Sequence, residues 1–164
     1  LRLYFVRELY REKASGLVAH SGLELNYSNG ERIIFHNSPV GGPALCTPLE
    51  YSKNQEVTVR AEYSDGLDAM SSRIQAVLNS GRGYCPVSFN CEHAVSMVTH
   101  GIASSPQIAA TFKGGLLLGA VTILCGGSAK QACFAMTVGA GIGLTAAKTG
   151  HLSSGNTFQY YAYG

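Results

Sequence analysis

Charge is the first scarcity in this sequence. Only 13% of the 164 residues are charged, and the formal net charge is +2. No Lys/Arg cluster and no basic stripe interleaved with aromatics occurs, so nucleic acid is excluded as an expected partner. The five cysteines are odd in number and lack paired framework spacing, which suits a reducing compartment better than a disulfide scaffold. Neither Cys125 nor Cys133 sits in a Cys-x-x-Cys pair with metal-ligand neighbours, so no metal and no other cofactor is expected. The succession of basic, apolar and small residues that marks a secretory signal is missing, and the sequence opens on Leu1, which reads as a fragment or a processed product. No repeat of solenoid length is present. A chain of this length is expected to build one domain with a real core.

What is present changes character along the chain. Up to about Tyr63 the runs are β-friendly. The stretches "GLVAHSGLEL" and "ERIIFHNSP" are separated by the loop signal "NYSNG", which predicts an antiparallel hairpin. Alternation puts Val18, His20, Gly22 and Glu24 on one face of the first strand, and His36 with Ile34 on one face of the second. A third strand, "EVTVRAEY", is expected to turn Val57, Val59 and Ala61 one way and Thr58, Arg60 and Glu62 the other. From Leu67 the period becomes helical, with Leu67, Met70, Ile74, Val77 and Leu78 in one stripe, Asp65 or Asp68 as cap and Gly81 as stop. A second helix is expected from an Asn90 cap to Gly101, turning Ala94, Val95 and Val98 inward. Strands first and helices after predict an α+β fold with a small antiparallel sheet.

The last third is nearly free of charge. From Gly114 to Thr149 only Lys130 and Lys148 interrupt a run dense in Gly, Ala, Leu, Ile and Val. The arms Gly114 to Cys125 and Ala132 to Ala147 are each shorter than the roughly 20 apolar residues of a membrane-spanning helix. Two complete spans are therefore not expected. A hairpin dipping into one leaflet, a single tilted span and a tightly packed soluble helical pair all fit. The pairs Gly115/Gly119 and Gly139/Gly143 have the small-xxx-small spacing that lets helices approach closely. The expected organisation is a domain over 1–110, an apolar helical segment over 111–150 and a polar tail over 151–164.

Chemistry concentrates in "YCPVSFNCEHAVSMVTHG". Cys91 follows Asn90 at the start of a helix, where unpaired backbone N–H groups and the helix dipole favour a thiolate. A cysteine in that place is either a nucleophile or a small buried residue. A nucleophile needs a histidine within reach, itself oriented by a third polar group. His20 and His36 can project from one side of the hairpin toward Cys91, which would assemble a Cys-His-His triad. His93 lies one turn inside the helix as local support, and His100 complements its C-terminus. Cys46 and Cys85 precede turn or proline residues rather than opening an apolar helix, and rank below Cys91.

The segment "YCPVSFNCEHAVSMVTHGIASSPQ" closely resembles the signature of the lecithin:retinol acyltransferase (LRAT)-like family, which includes the H-Ras-like suppressor phospholipase/acyltransferases and picornaviral H-box/NC proteins. Tyr84, Asn90-Cys91-Glu92-His93, His100-Gly101 and Ser105-Pro106-Gln107 stand where the family has its tyrosine, its Asn-Cys-Glu-His, its helix-ending pair and its Ser-x-Gln. The resemblance spans about residues 16 to 147. It departs at the H-box, where Val18 and Ser21 stand in place of aromatic residues, and at Ala94, in place of phenylalanine. The resemblance implies a circularly permuted papain-like thiol hydrolase fold with helices on one side of the sheet, plus an apolar C-terminal helical segment. It implies Cys91 as nucleophile, His20 in "AHSGLEL" as general base and His36 in "IIFHNSP" as the orienting member. The implied function is a thiol acyltransferase or phospholipase A acting on glycerophospholipid or another acyl donor through an acyl-cysteine. The membrane surface would be met through 114–147, on the cytoplasmic face of an intracellular membrane. An inactive H-box/NC interaction protein and a papain-like amidase or peptidase are the alternatives.

Overall fold

The structure, a computed structural model, describes residues 2–12, 19–152, 156–158 and 160. Along the chain run β1 (Leu3–Glu12), β2 (Ala19–Tyr27), β3 (Arg32–Ser38), β4 (Gly42–Cys46), α1 (Pro48–Ser52), β5 (Val57–Tyr63), α2 (Leu67–Leu78), α3 (Cys91–His100), α4 (Pro106–Leu124), α5 (Ala129–Leu152) and β6 (Asn156–Phe158). The fold is α+β, with an antiparallel sheet in the order β4-β3-β2-β1-β5-β6 in which β6 is a three-residue edge.

Alternation along the strands assigns two faces. Val6, Leu23, Leu25 and Phe35 face α2 and α3, where Met70, Ile74, Val77, Ala94, Val95 and Val98 complete a core. The opposite face carries Leu9, Ile34 and Val57, covered by Tyr51 from α1 and by Tyr160. The helices therefore do not all lie on one side, as the resemblance implies. The five-residue α1 is capped by Thr47 and Glu50 in a reciprocal capping box, and it delivers one large aromatic to the far face. Tyr51 is 1% exposed. Its hydroxyl donates to the carbonyl of His20 at 2.7 Å and to that of Leu9 at 3.3 Å. Gly22 makes room for the ring: a Cβ there would fall 2.7 Å from Tyr51 Cε2 and 3.2 Å from Ile34 Cγ2.

Four sequence expectations are corrected by packing. A bulge shifts the β1–β5 register between Leu9↔Val59 and Glu8↔Ala61, so Arg60 is the extra residue and Ala61 turns to the helix face, away from Val57 and Val59. Arg60 then reaches Glu8 Oε1 at 3.3 Å and the Tyr10 hydroxyl at 2.8 Å. Helix α2 starts from Gly66 in the left-handed region, with no side-chain cap, so neither Asp65 nor Asp68 caps it. The 151–164 segment is not simply a tail: β6 pairs with β5, and the buried Tyr160 hydroxyl donates to Glu24. Val18, placed beside His20 by the alternation, lies outside the described residues.

The fourth correction concerns the apolar third. Helix α4 begins at Pro106, eight residues before the apolar run, with Ser105 as cap, so the arms are 19 and 24 residues long. At 1.5 Å per residue α4 measures about 28 Å, close to the hydrocarbon thickness of a bilayer. It is long and apolar enough to cross a membrane. The two helices lie against each other through small residues. A Cβ on Gly114 would fall 2.2 Å from the Gly139 carbonyl oxygen, and one on Gly143 2.2 Å from that of Ala110. Gly115 and Gly119 meet Met136 in the same interface. Outward, Phe112, Leu116, Leu117, Leu124, Phe134 and Ile142 are exposed and form an apolar surface.

Gly22→Ala is expected to lower the unfolding free energy by about 1–3 kcal/mol, the usual cost of overpacking. Urea denaturation checks this: the midpoint should fall at an unchanged slope, and an unmoved midpoint would contradict the close approach of Tyr51.

Candidate active site

The geometry of the site follows from a strand that loses a neighbour. Strand β2 pairs with β1 along its whole length, down to Glu12↔Ala19. Its pairing with β3 stops at Gly22↔His36, while β3 continues along β4 through Asn37 and Ser38. The sheet is thus parted beside Ala19, His20 and Ser21. Into this parting the chain inserts the start of α3. The buried Asn37 side chain donates its amide to the carbonyls of Phe89 at 2.8 Å and Asn90 at 3.2 Å. Cys91 Sγ comes to 3.9 Å from the Ala19 carbonyl.

Asn90 is the cap of α3. Its Oδ1 accepts from the backbone N–H of His93 at 3.0 Å, and His93 Nδ1 accepts from the backbone N–H of Asn90 at 3.3 Å. A histidine thus fills the place usually taken by Glu or Gln in a capping box. That role requires an unprotonated Nδ1. Burial, helped by the Arg82 charge and opposed by Glu92, holds the His93 pKa below its usual value. The Asn90 amide also donates to Pro86 O at 3.2 Å and Ser105 Oγ at 3.3 Å, which fixes the residue that presents the thiol.

Glu92, the next residue, is buried at 4% exposure and faces α4. The Ser105 hydroxyl donates to its Oε2, as does the Gln107 backbone N–H at 3.2 Å, while Gln107 Nε2 donates to Oε1 at 2.8 Å. A carboxylate at the N-terminus of α4 complements the helix dipole. The Ser105-Pro106-Gln107 motif therefore has a physical meaning the spacing alone did not show: it clamps the apolar hairpin to the cysteine helix.

The imidazoles occupy the other face. His20 Nε2 and His36 Nδ1 are 2.9 Å apart, and the His20 ring stacks on Tyr51 with centroids at 5.4 Å. Both histidines share one face, as alternation requires, and that face is the one turned away from α3. The thiol enters at the strand parting beside Ala19, and the imidazole pair lies along the same end of β2. Cys91 lies near enough to Tyr51 that its charge raises the Tyr51 pKa, second to burial. Burial, then the Arg11 and Lys53 charges, lower the His36 pKa against the pull of Glu50.

A cavity of about 290 Å³ opens at the thiol, lined by Cys91, Tyr84, Gln107, Ile108, Thr111 and Leu144 among others. Its far wall is the α4–α5 hairpin, so an apolar surface runs from the exposed helices to the cysteine. The other cysteines separate by environment. Burial lifts the Cys46 thiol to about 11. Hydrogen bonds from the Ser88 side chain and from backbone N–H groups of Ser88 and Val87 draw the Cys85 thiol down to about 7. The sequence ranked Cys85 below Cys91 without showing this low thiol pKa, because the turn that closes between Cys85 and Phe89 carries no periodic signal. No family model and no curated protein matches the chain.

Since folding depresses the His36 pKa below its usual 6.5, the unfolded chain binds protons first on acidification. The stability associated with neutral His36 is complete above pH 6.5 and is lost as the pH falls toward the folded value. Urea midpoints across this range should decline less steeply in His36→Gln than in wild type; parallel declines would contradict the assignment.

Proposed function

We propose that this protein is a thiol acyltransferase or phospholipase that acts on acyl esters of glycerophospholipid through a covalent acyl-Cys91. The observation that carries the reading is the cavity in which the first cysteine of α3 meets the wall of an exposed apolar hairpin. A long acyl chain could follow that wall from a lipid surface to the sulfur. The resemblance of the Asn90-Cys91-Glu92-His93 segment to LRAT-like enzymes, and the fold it implies, a permuted papain-like hydrolase, supply the reaction class.

In this reading His20 takes the thiol proton. Its Nε2 is engaged by His36, so Nδ1 is the nitrogen that serves the sulfur, and His36 holds the ring in orientation. The thiolate attacks the ester carbonyl, and the backbone N–H groups of the first turn of α3 balance the oxyanion. Collapse breaks the ester C–O bond, the leaving alkoxide takes the proton from His20, and a thioester remains. Water, an amine or an alcohol then gives a proton to His20 and attacks the thioester, which releases the acyl product and the thiolate. For His20 to reach the sulfur, the contact must pass through the parting between β2 and β3. The second reading is an interaction protein without turnover, in which Cys91, 3% exposed, is a small buried residue at a helix start.

Intact-protein mass spectrometry after incubation with phospholipid vesicles separates the two. Wild type should gain one fatty acyl mass mapped to Cys91, Cys91→Ala should gain none, and His20→Ala should gain it far more slowly. Mapping matters because Cys85, with its thiol near 7, will react with general electrophiles. No adduct and no lipid product would move the conclusion to the second reading.

The hairpin generates its own test. Leu117→Glu and Leu124→Glu place charges on exposed apolar positions, each costing about 3 kcal/mol at hydrocarbon depth. Vesicle flotation should fall sharply in the double variant while its circular dichroism is retained; undiminished flotation would show that the hairpin is not what meets lipid.

A further inference from the structure

The face of the sheet opposite α3 holds a second cavity, of about 300 Å³, lined by Arg11, His20, His36, Tyr51, Lys53 and Gln55 among others. Arg11 stands directly across the β1–β2 ladder from His20, and only 7% of it is exposed. A guanidinium so deeply buried is costly to leave without a matching negative charge. Its recorded hydrogen bonds go to neutral acceptors: Nη1 donates to Gln55 Oε1 at 2.8 Å and to the Glu12 carbonyl at 3.2 Å. Its Nε is buried and has no acceptor among the described residues. The ion pairs recorded among those residues, Arg7–Glu62 and Arg60–Glu8, do not involve it.

A second cation completes the site. Lys53 ends α1 in the left-handed region at φ 51° and lines the same cavity. Both positive charges bear on His36. The carboxylate in the lining, Glu50, is held by the backbone N–H and hydroxyl of Thr47 at 2.7 and 2.9 Å. Arg11 from β1 and Lys53 from the end of α1 line the cavity from two elements, and His36 and Ser38 offer further donors. Donors converging from several directions suit a tetrahedral, multiply charged oxyanion better than a planar carboxylate, which a guanidinium prefers to take edge-on.

We propose that this cavity binds a phosphate group, with Arg11 and Lys53 supplying the charge and the His20–His36 pair forming its floor. The source of the phosphate is either the headgroup of the acyl donor, in which case this inference rests on the acyl-transfer reading, or a free phosphate. In the first case the headgroup and the acyl chain would occupy cavities on either side of the strand parting.

Calorimetric titration of the full chain with inorganic phosphate, in an uncharged detergent at neutral pH, tests the site. Wild type and Cys91→Ala should bind saturably. Arg11→Gln should lose binding, and Lys53→Gln should bind about tenfold more weakly, as expected for one charge-assisted hydrogen bond. Lys53 is exposed, so its variant keeps the test open should Arg11→Gln fail to fold. Absence of saturable binding to wild type, or equal binding by wild type and Lys53→Gln, overturns the proposal. The source is read from vesicle turnover: inorganic phosphate that raises KM identifies a headgroup site, and phosphate that binds with KM unchanged identifies a free ligand. Phosphate binding by a wild type that forms no acyl adduct would refute acyl transfer and leave this site standing.

Discussion

Everything at the candidate site depends on the parting of two strands. A backbone carbonyl inside a sheet is normally consumed by the neighbouring strand, and a side chain on one face cannot reach the other. Where β2 outruns its pairing with β3, both restrictions lapse. The start of α3 takes the vacated position, held there by the Asn37 amide, and Cys91 comes to the Ala19 carbonyl. The cysteine and the two histidines thereby gather at one end of β2. Tyr51 stiffens the same place from above by bonding the His20 carbonyl and stacking on its ring.

The electrostatics divide along the same line. On the α3 side the buried charge is negative, with Glu92 satisfied by three donors from the start of α4. On the far side Arg11 is held by neutral acceptors, and Glu24 takes the Tyr160 hydroxyl. The imidazole pair lines the Arg11 side, where burial, then the Arg11 and Lys53 charges, lower the His36 pKa. A neutral His36 can accept a hydrogen bond from His20 or donate one to it, according to tautomer.

Much of this was legible in the sequence, for reasons that can be stated residue by residue. The hairpin, the shared face of His20 and His36, and the helix from the Asn90 cap to Gly101 follow from period and capping chemistry, which are local. The arrangement of the site across the sheet was not legible. Alternation says which residues share a face and is silent on which face a later helix will cover. The bulge at Arg60 leaves no mark in "EVTVRAEY", because the β1 partner selects it. The short α1 was hidden because five residues carry no helical period, although Thr47-Pro48-Leu49-Glu50 does spell a capping box. Glu92 read as one letter of a motif until Ser105 and Gln107 were seen to bond it.

The route of the chain around the apolar hairpin bears on its mechanics. Helix α4 leaves from the Glu92 clamp beside the cysteine, and after α5 the chain returns to lay β6 along β5 and to bury Tyr160 against Glu24. The hairpin is therefore an excursion between two moorings on one rigid body rather than a streamer from its end. A body moored once can swivel about its tether and sample many attitudes. Moored twice, it transmits torque, and a hairpin fixed in any surface would hold the thiol cavity at a set height and bearing above it.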